Sequence, residues 1–176
     1  SKYGPKSARG LWAYVKRLNE DRAKKISAAI VEFASQHSVD AIVMEHLDFK
    51  GCKKRGSKAQ RLSMWNHGII REKVEQKAHL LGIRIATICA WKTSALAFDG
   101  SGSVTRDDNN HALATFTTGK QYNCDLGASY NIGARYFIRE LLKSLPATEE
   151  SRVKAKVPDV GRRTSCTLST LRTLVK

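Results

Sequence analysis

The chain lacks long apolar runs and the common nucleotide-binding motifs. No apolar stretch approaches the roughly 20 residues needed to span a bilayer, and no signal-peptide pattern opens the sequence. We found no internal repeat, Walker loop or dinucleotide fingerprint in the 176 residues. These absences predict a cytoplasmic protein with no membrane partner.

Cysteines are few and unpaired in sequence. Cys52, Cys89, Cys124 and Cys166 lie dozens of residues apart, and none belongs to a C-x-x-C pair that would indicate a zinc knuckle. We therefore expect reduced thiols. Cys89 and Cys124 end apolar runs, where a small hydrophobic side chain packs well.

Acidic residues are also scarce. The chain carries 16 Asp and Glu against 31 Lys and Arg, a net charge of +15, although 41% of its residues are hydrophobic. That composition predicts a folded domain with a cationic surface. Because such a surface attracts polyanions and releases their counterions, nucleic acid is the expected partner. The alternative is that the charge serves only solubility.

Alternating helices and strands are predicted from the spacing of apolar residues. The pattern predicts helices from residue 11 to about 37, from about 60 to 81 and from about 126 to 145. Between them, two short apolar runs at 39–44 and 83–88 predict strands. The predicted buried stripe of the third helix consists of Leu126, Tyr130, Ala134, Phe137 and Leu141.

Turn-forming residues mark the remaining segments. We predict an insertion at about 91–121, with a hairpin whose turn is at 117–120. A glycine-containing basic loop at 49–58 carries Lys53, Lys54, Arg55 and Lys58, which we predict to contact nucleic-acid phosphates. Residues 1–145 would form the domain, and 146–176 a basic tail whose order stays open.

Two carboxylates stand at the ends of predicted elements. Glu45 closes the first predicted strand, and Asp125 stands at a strand-to-helix junction. Open α/β sheets hold ligands at the carboxyl ends of their strands, and Mg²⁺ or Mn²⁺ prefers carboxylate oxygens. We predict that Glu45 and Asp125 are catalytic metal ligands for phosphodiester hydrolysis. Alternatively, Glu45 is a solvated strand end and Asp125 a helix N-cap.

Two segments resemble the motifs of a nuclease family. Residues 42–47 (IVMEHL) and 125–132 (DLGASYNI) resemble the second and third acidic motifs of the RuvC-like domain of TnpB (OrfB) proteins. These proteins are encoded by transposable elements and are relatives of the type V CRISPR effectors. Trp65, the segment 82–84 and the pair at 93–94 follow in the expected order, so the resemblance spans about 11–145.

The resemblance implies a fold and an activity. It implies an α/β, RNase H-like (RuvC-like) mixed sheet flanked by helices, here incomplete. It also implies an RNA-guided DNA endonuclease that uses two metal ions, with DNA and a guide RNA as partners. The oligomeric state stays open.

Two departures from the family modify these expectations. The first acidic motif, an Asp that should precede the first helix, is absent from residues 1–10, so the chain is expected to be a fragment or a degenerate copy. An inactive nucleic-acid-binding module is the alternative. The family's four-cysteine zinc ribbon is also missing, because the interval from 95 onward offers only Cys124. No zinc is expected, and the hairpin should close the insertion.

Overall fold

The computed structural model describes residues 8–47, 66–157 and 159–175. Within these ranges the chain forms five helices and five strands. In chain order they are α1 (Arg9–Gln36), β1 (Ala41–His46), α2 (His67–Leu80), β2 (Arg84–Cys89), β3 (Thr105–Arg106), β4 (Leu113–Thr115), β5 (Gln121–Asn123), α3 (Cys124–Ser144), α4 (Ala147–Lys156) and α5 (Leu168–Val175). None of the described helices is both long and apolar enough to cross a membrane.

The chain divides into two compact units. The first contains the described residues 8–42 and 66–85, and the second contains 43–47, 86–157 and 159–175. In the first unit, α1 packs against α2. Small side chains bury the contact, since Ala23 and Ala34 of α1 and Val74 and Ala78 of α2 are almost inaccessible to solvent. The larger apolar residues of α1, such as Leu18, Ile26 and Phe33, stay exposed.

The strands β1 and β2 pair in a two-stranded sheet. Both begin slightly later than predicted, because two residues beyond each preceding helix the chain turns through a positive φ, at Ser38 (50°) and at Gly82 (69°). After α2, the N–H groups of Gly82 and Ile83 bond back to the carbonyls of His79 and Ala78, which closes the helix end. The later start of β1 places Glu45 inside the strand, one residue before its end.

The insertion folds around a hairpin. Strands β3, β4 and β5 form an antiparallel sheet, with Ala114 opposite Tyr122. The turn between β4 and β5 contains Gly119 at φ 82°, where a β-carbon would be strained. Phe98, which is partly buried, packs against this sheet, with its ring centroid 5.3 Å from Phe116 and 5.0 Å from Tyr122 in edge-on contacts. The predicted hairpin is therefore present, and aromatic packing supplies its core.

Helix α3 confirms the third predicted helix, but of its predicted buried stripe only Ala134 is fully buried. Leu126 and Phe137 are 55% and 59% exposed, whereas Asn131, Arg135 and Ile138 are at most 1% exposed. Most buried residues of α3 follow the predicted ones by one position. Two of them, Asn131 and Arg135, are polar. Apolar periodicity alone could not reveal this buried side.

The C-terminal segment, whose order the sequence left open, contains two helices. α5 packs against α3. Ile138 and Leu142 of α3 share a buried cluster with Val160 and Cys166. This packing brings residues 160–168 against the helix that carries Asp125.

Candidate active site

Glu45 is held by a threonine that follows β2. The Thr93 hydroxyl donates to Glu45 Oε1 at 2.8 Å and also lies 3.0 Å from the carbonyl oxygen of Ala90. Thr93 is 2% exposed, whereas Glu45 is half-buried. One carboxylate oxygen of Glu45 is therefore fixed by a buried donor. The other, Oε2, makes no hydrogen bond with the described residues.

Asn131 of α3 fixes the position of Thr93 in turn. Its side-chain Nδ2 donates to the carbonyls of Thr93 and Leu96, both at 2.9 Å. Its Oδ1 accepts from the backbone N–H of Leu168 at 3.3 Å. Because Asn131 is fully buried, these bonds use an amide that water does not reach. Hydrogen bonds thus join α5 to Asn131 and Asn131 to the backbone of Thr93, whose side-chain hydroxyl in turn bonds Glu45.

A second buried polar residue lies one helical turn further along α3. Arg135 is 1% exposed. Its guanidinium donates only to backbone carbonyls, at 2.6–3.1 Å, and these belong to Cys89, Trp91, Thr164 and Cys166. Arg135 therefore joins the end of β2 to the segment that precedes α5.

This guanidinium also places a positive charge near Glu45. Burial lowers the pKa of Arg135 from its ordinary value, and Cys166, Cys89 and Glu45 oppose the shift electrostatically. An arginine remains protonated in spite of such a shift. The acid of β1 therefore lies within the field of a fixed, buried cation.

Asp125 lies in the first turn of α3 but does not cap the helix. The N-cap is Asn123, whose side-chain oxygen accepts from the backbone N–H groups of Asp125 and Leu126 at 2.9 and 3.0 Å. The alternative that Asp125 serves as the cap is therefore wrong. The Asp125 side chain is exposed, and its carboxylate has no hydrogen bond or ion pair with any described residue. It is available to an external ligand, at a helix end that favours negative charge.

This division of roles gives a stability prediction. We expect Asn123→Ala to lower the free energy of unfolding by about 1 kcal/mol, because two N–H groups of α3 lose their acceptor. Asp125→Asn should cost less, roughly 0.3–1 kcal/mol, because it removes only a charge near the helix dipole. Urea denaturation followed by circular dichroism measures both. A larger loss for Asp125→Asn would return the capping role to Asp125.

The described residues offer oxygen ligands but no complete metal cage. Among them, no group of three or more His, Cys, Asp or Glu residues could hold a metal ion. Glu45 and Asp125 both belong to the second unit. Their carboxylates are the hard donors that Mg²⁺ and Mn²⁺ accept. Their joint role as ligands stays a prediction. The other predicted contacts, Lys53, Lys54, Arg55 and Lys58, lie outside the described residues.

The insertion contains no thiolate pair within the described residues. Cys124 is buried and free, as is Cys166, and Cys89 is free and exposed. Cys124 packs with Ala97, Ala114 and Phe116 in the core of the insertion. The absence of zinc stays a prediction, and the aromatic core described above offers another way to stabilise this segment.

Sequence reasoning missed the residues that position Glu45. Thr93 and Asn131 both lie in segments that carry the family resemblance, yet nothing in their spacing indicated that they meet. Arg135 had no signal beyond its place one turn after Asn131. All three act through contacts that span dozens of residues, such as the separation of 48 between Glu45 and Thr93.

No protein-family model and no curated protein matches the chain. Among solved structures, it is similar to a chain in the cryo-EM structure of the Cas12f1-sgRNA-target DNA complex, with a TM-score of 0.50 and 19% sequence identity. The match covers 69% of this chain and 35% of that one, so this chain spans about a third of the other's length. At this identity the likeness concerns the fold alone. The predicted α/β fold, an incomplete RNase H-like domain, is confirmed.

Proposed function

We propose that this chain is the RuvC-like part of a TnpB-type, RNA-guided DNA endonuclease, with Glu45 and Asp125 as two of its acids. The observation that carries the proposal is the hydrogen-bond chain from Asn131 through Thr93 to Glu45. It links the acid of β1 to the helix whose first turn contains Asp125. Thr93 and Asn131 both lie in the segments that resemble the family, and their hydrogen bonds give each of them a structural role at this site.

Glu45 and Asp125 would hold the metal ions. When bound, Mg²⁺ or Mn²⁺ activates the attacking water and stabilises the leaving oxygen of the phosphodiester. The carboxylate of Glu45 is oriented by the hydrogen bond that Thr93 donates to one of its oxygens. The carboxylate of Asp125 is exposed and makes no hydrogen bond or ion pair with the described residues. A side chain that is already oriented loses less conformational freedom when it binds a cation. Residues that hydrogen-bond a metal ligand provide this orientation.

Nucleic acid is the partner that the proposal requires. The Cas12f1 structure contains a single-guide RNA and target DNA. The present chain has a net charge of +15, so it should attract either polymer. We assign the first phosphate contacts to Lys53, Lys54, Arg55 and Lys58, on the sequence grounds given above.

Manganese binding tests the assignment of the two acids. We expect Glu45→Gln and Asp125→Asn each to weaken Mn²⁺ binding at least about tenfold, because each removes a charged ligand. Electron paramagnetic resonance measures the free Mn²⁺ in a titration. Glu72→Gln and Asp108→Asn are matched controls, since both alter an exposed acid outside the proposed site. Equal binding by all four variants would contradict the proposal.

Thr93 provides a subtler test, because it acts through Glu45. Thr93→Val keeps the size of the side chain but removes the donor to Glu45, and we expect Mn²⁺ affinity to fall about 10- to 100-fold. Thr93→Ser retains the hydroxyl and should bind like the unaltered chain. If serine and valine weakened binding equally, the effect would come from packing and the positioning role would be wrong.

An inactive nucleic-acid-binding module is the second candidate function. It is favoured by the lack of any cluster of three metal-ligating groups among the described residues. This candidate predicts salt-sensitive binding of nucleic acid without dependence on Mn²⁺. The two acid variants therefore separate the candidates, because they should leave the function of a purely binding module unchanged.

A further inference from the structure

A basic cavity lies at the C-terminal end of α3. It has a volume of about 390 Å³ and lies between the end of α3, helix α4 and the turn that follows α4. Its charged lining consists of Arg139, Lys143, Glu150, Lys154 and Arg163. All of them belong to the second unit, so the packing of that unit alone forms the cavity.

The cations of this cavity outnumber the acids that pair with them. Glu140 Oε1 accepts from both Arg139 Nε at 2.8 Å and Lys143 Nζ at 3.3 Å. Glu150 pairs with Lys154. Four cations thus face two carboxylates, and two units of positive charge remain. Arg163 has no acidic partner among the described residues.

The turn around Arg163 leaves most donors of its guanidinium unpaired among the described residues. The backbone of Arg163 adopts φ 60°, in the left-handed region, and its backbone N–H donates to the carbonyl of Asp159 at 2.8 Å. The Asp159 carboxylate is engaged elsewhere, because Thr164 and Ser165 donate to Oδ2 at 2.7 and 3.0 Å. The guanidinium of Arg163 donates one hydrogen bond, from Nη1 to the carbonyl oxygen of Gly161. Its other N–H groups have no acceptor among the described residues.

We propose that this basic cavity binds a phosphate of a nucleic-acid backbone. A cavity with surplus cations and a guanidinium with unused donors suits a phosphodiester, which accepts two parallel bonds from an arginine fork. Lys143, 64% exposed, adds a further positive charge at the rim. The proposal deepens the proposed function, on which it rests, by adding a second phosphate site in the C-terminal segment, remote in sequence from the 49–58 loop.

The salt dependence of binding tests this site. We compare the variant K143Q/K154Q/R163Q with a control, K16Q/K24Q/K25Q, that removes the same charge from exposed positions of α1. Affinity for a fluorescein-labelled single-stranded DNA and RNA of one sequence is measured by anisotropy over a range of salt concentrations. Each phosphate contact contributes about 0.7 to the log–log slope for single strands. Because the cavity holds one phosphate, the cavity variant should lose about 0.7 of slope relative to the control.

Three further arms keep the outcome decisive. Circular dichroism checks folding. If the triple variant unfolds, the single variant K143Q, at an exposed position, should still lower the slope, by up to about 0.7. A titration with adenosine monophosphate tests for a free-nucleotide site. Saturable binding of that nucleotide, or equal slopes for the cavity variant and the control, would overturn the proposal. Failure of the Mn²⁺ tests with a preserved slope difference would instead reject only the catalytic assignment.

Discussion

Replacing Arg135 by methionine should lower the free energy of unfolding of the second unit by at least about 3 kcal/mol. Methionine fits the volume of the arginine stem but offers no donors. The carbonyls of Cys89, Trp91, Thr164 and Cys166 would each lose a hydrogen bond. An acceptor that remains buried without a partner costs about 1–3 kcal/mol, and several are affected together. The gain from burying an apolar side chain does not offset this loss.

Arg135→Lys should have an intermediate effect. Its ammonium keeps the charge and three donors, but it cannot reproduce the planar fork that reaches carbonyls on both sides. Arg152→Met is the control, since Arg152 is exposed on α4 and should change stability by no more than about 0.5 kcal/mol. Urea denaturation followed by circular dichroism gives these values. Amide-hydrogen exchange then shows whether residues 86–96 and 164–168 lose protection together, as their shared partner requires.

A native-like stability for Arg135→Met would contradict this account. It would mean that the four carbonyls find water in the variant, so that the buried arginine is dispensable for folding. Loss of protection confined to the segment 164–168 would be informative as well. It would show that Arg135 secures the C-terminal segment but not the end of β2.

Local sequence patterns predicted the helices and strands well where the buried residues are apolar. The first helix, both early strands and the hairpin occur close to their predicted positions. Gly82 stops α2 as expected, because it adopts a positive φ that other residues rarely take. These features depend on residues close to one another in the chain, which is the range that periodicity and turn chemistry report.

The buried side of α3 was predicted incorrectly because its interior is partly polar. Asn131 and Arg135 are buried since other segments of the chain supply their partners, at separations of 29 to 46 residues. Apolar periodicity treats such residues as solvent-facing and moves the stripe toward Tyr130 and Phe137. The error shows where long-range hydrogen bonds override the hydrophobic pattern.

The candidate site was proposed from the sequence on different grounds. Glu45 and Asp125 were singled out through motif-like segments, and the fold they implied is the fold observed. Thr93 and Asn131, which position Glu45, were not singled out, because a hydrogen bond from a hydroxyl to a carboxylate produces no periodic pattern in the sequence. The role of Glu45 and Asp125 as metal ligands stays a prediction from motif resemblance, whereas the residues that contact Glu45 emerge only from the packed structure.

DNA cleavage is the property in which the two acids should have their largest effect. We expect the 176-residue chain alone to show little or no cleavage with Mg²⁺, because two carboxylates leave a hard cation weakly held. A longer protein that adds a strand ending in Asp before α1, together with a guide RNA, should cleave. In that protein, Glu45→Gln or Asp125→Asn should lower the cleavage rate at least about 100-fold. This exceeds the effect of mutating a residue that only orients a metal ligand, which is about 10- to 100-fold.

The cleavage assay is informative because each variant changes few atoms. Gln and Asn keep the shape of the acids they replace, so circular dichroism should show an unaltered fold. Glu72→Gln and Asp108→Asn should cleave at the unaltered rate, since neither belongs to the proposed site. Cleavage is followed on labelled single- and double-stranded DNA with Mg²⁺, with Mn²⁺ and with a chelator. Metal-dependent cutting by the 176-residue chain that survived both acid substitutions would reject the RuvC-like mechanism, because the cation would then be held by other groups.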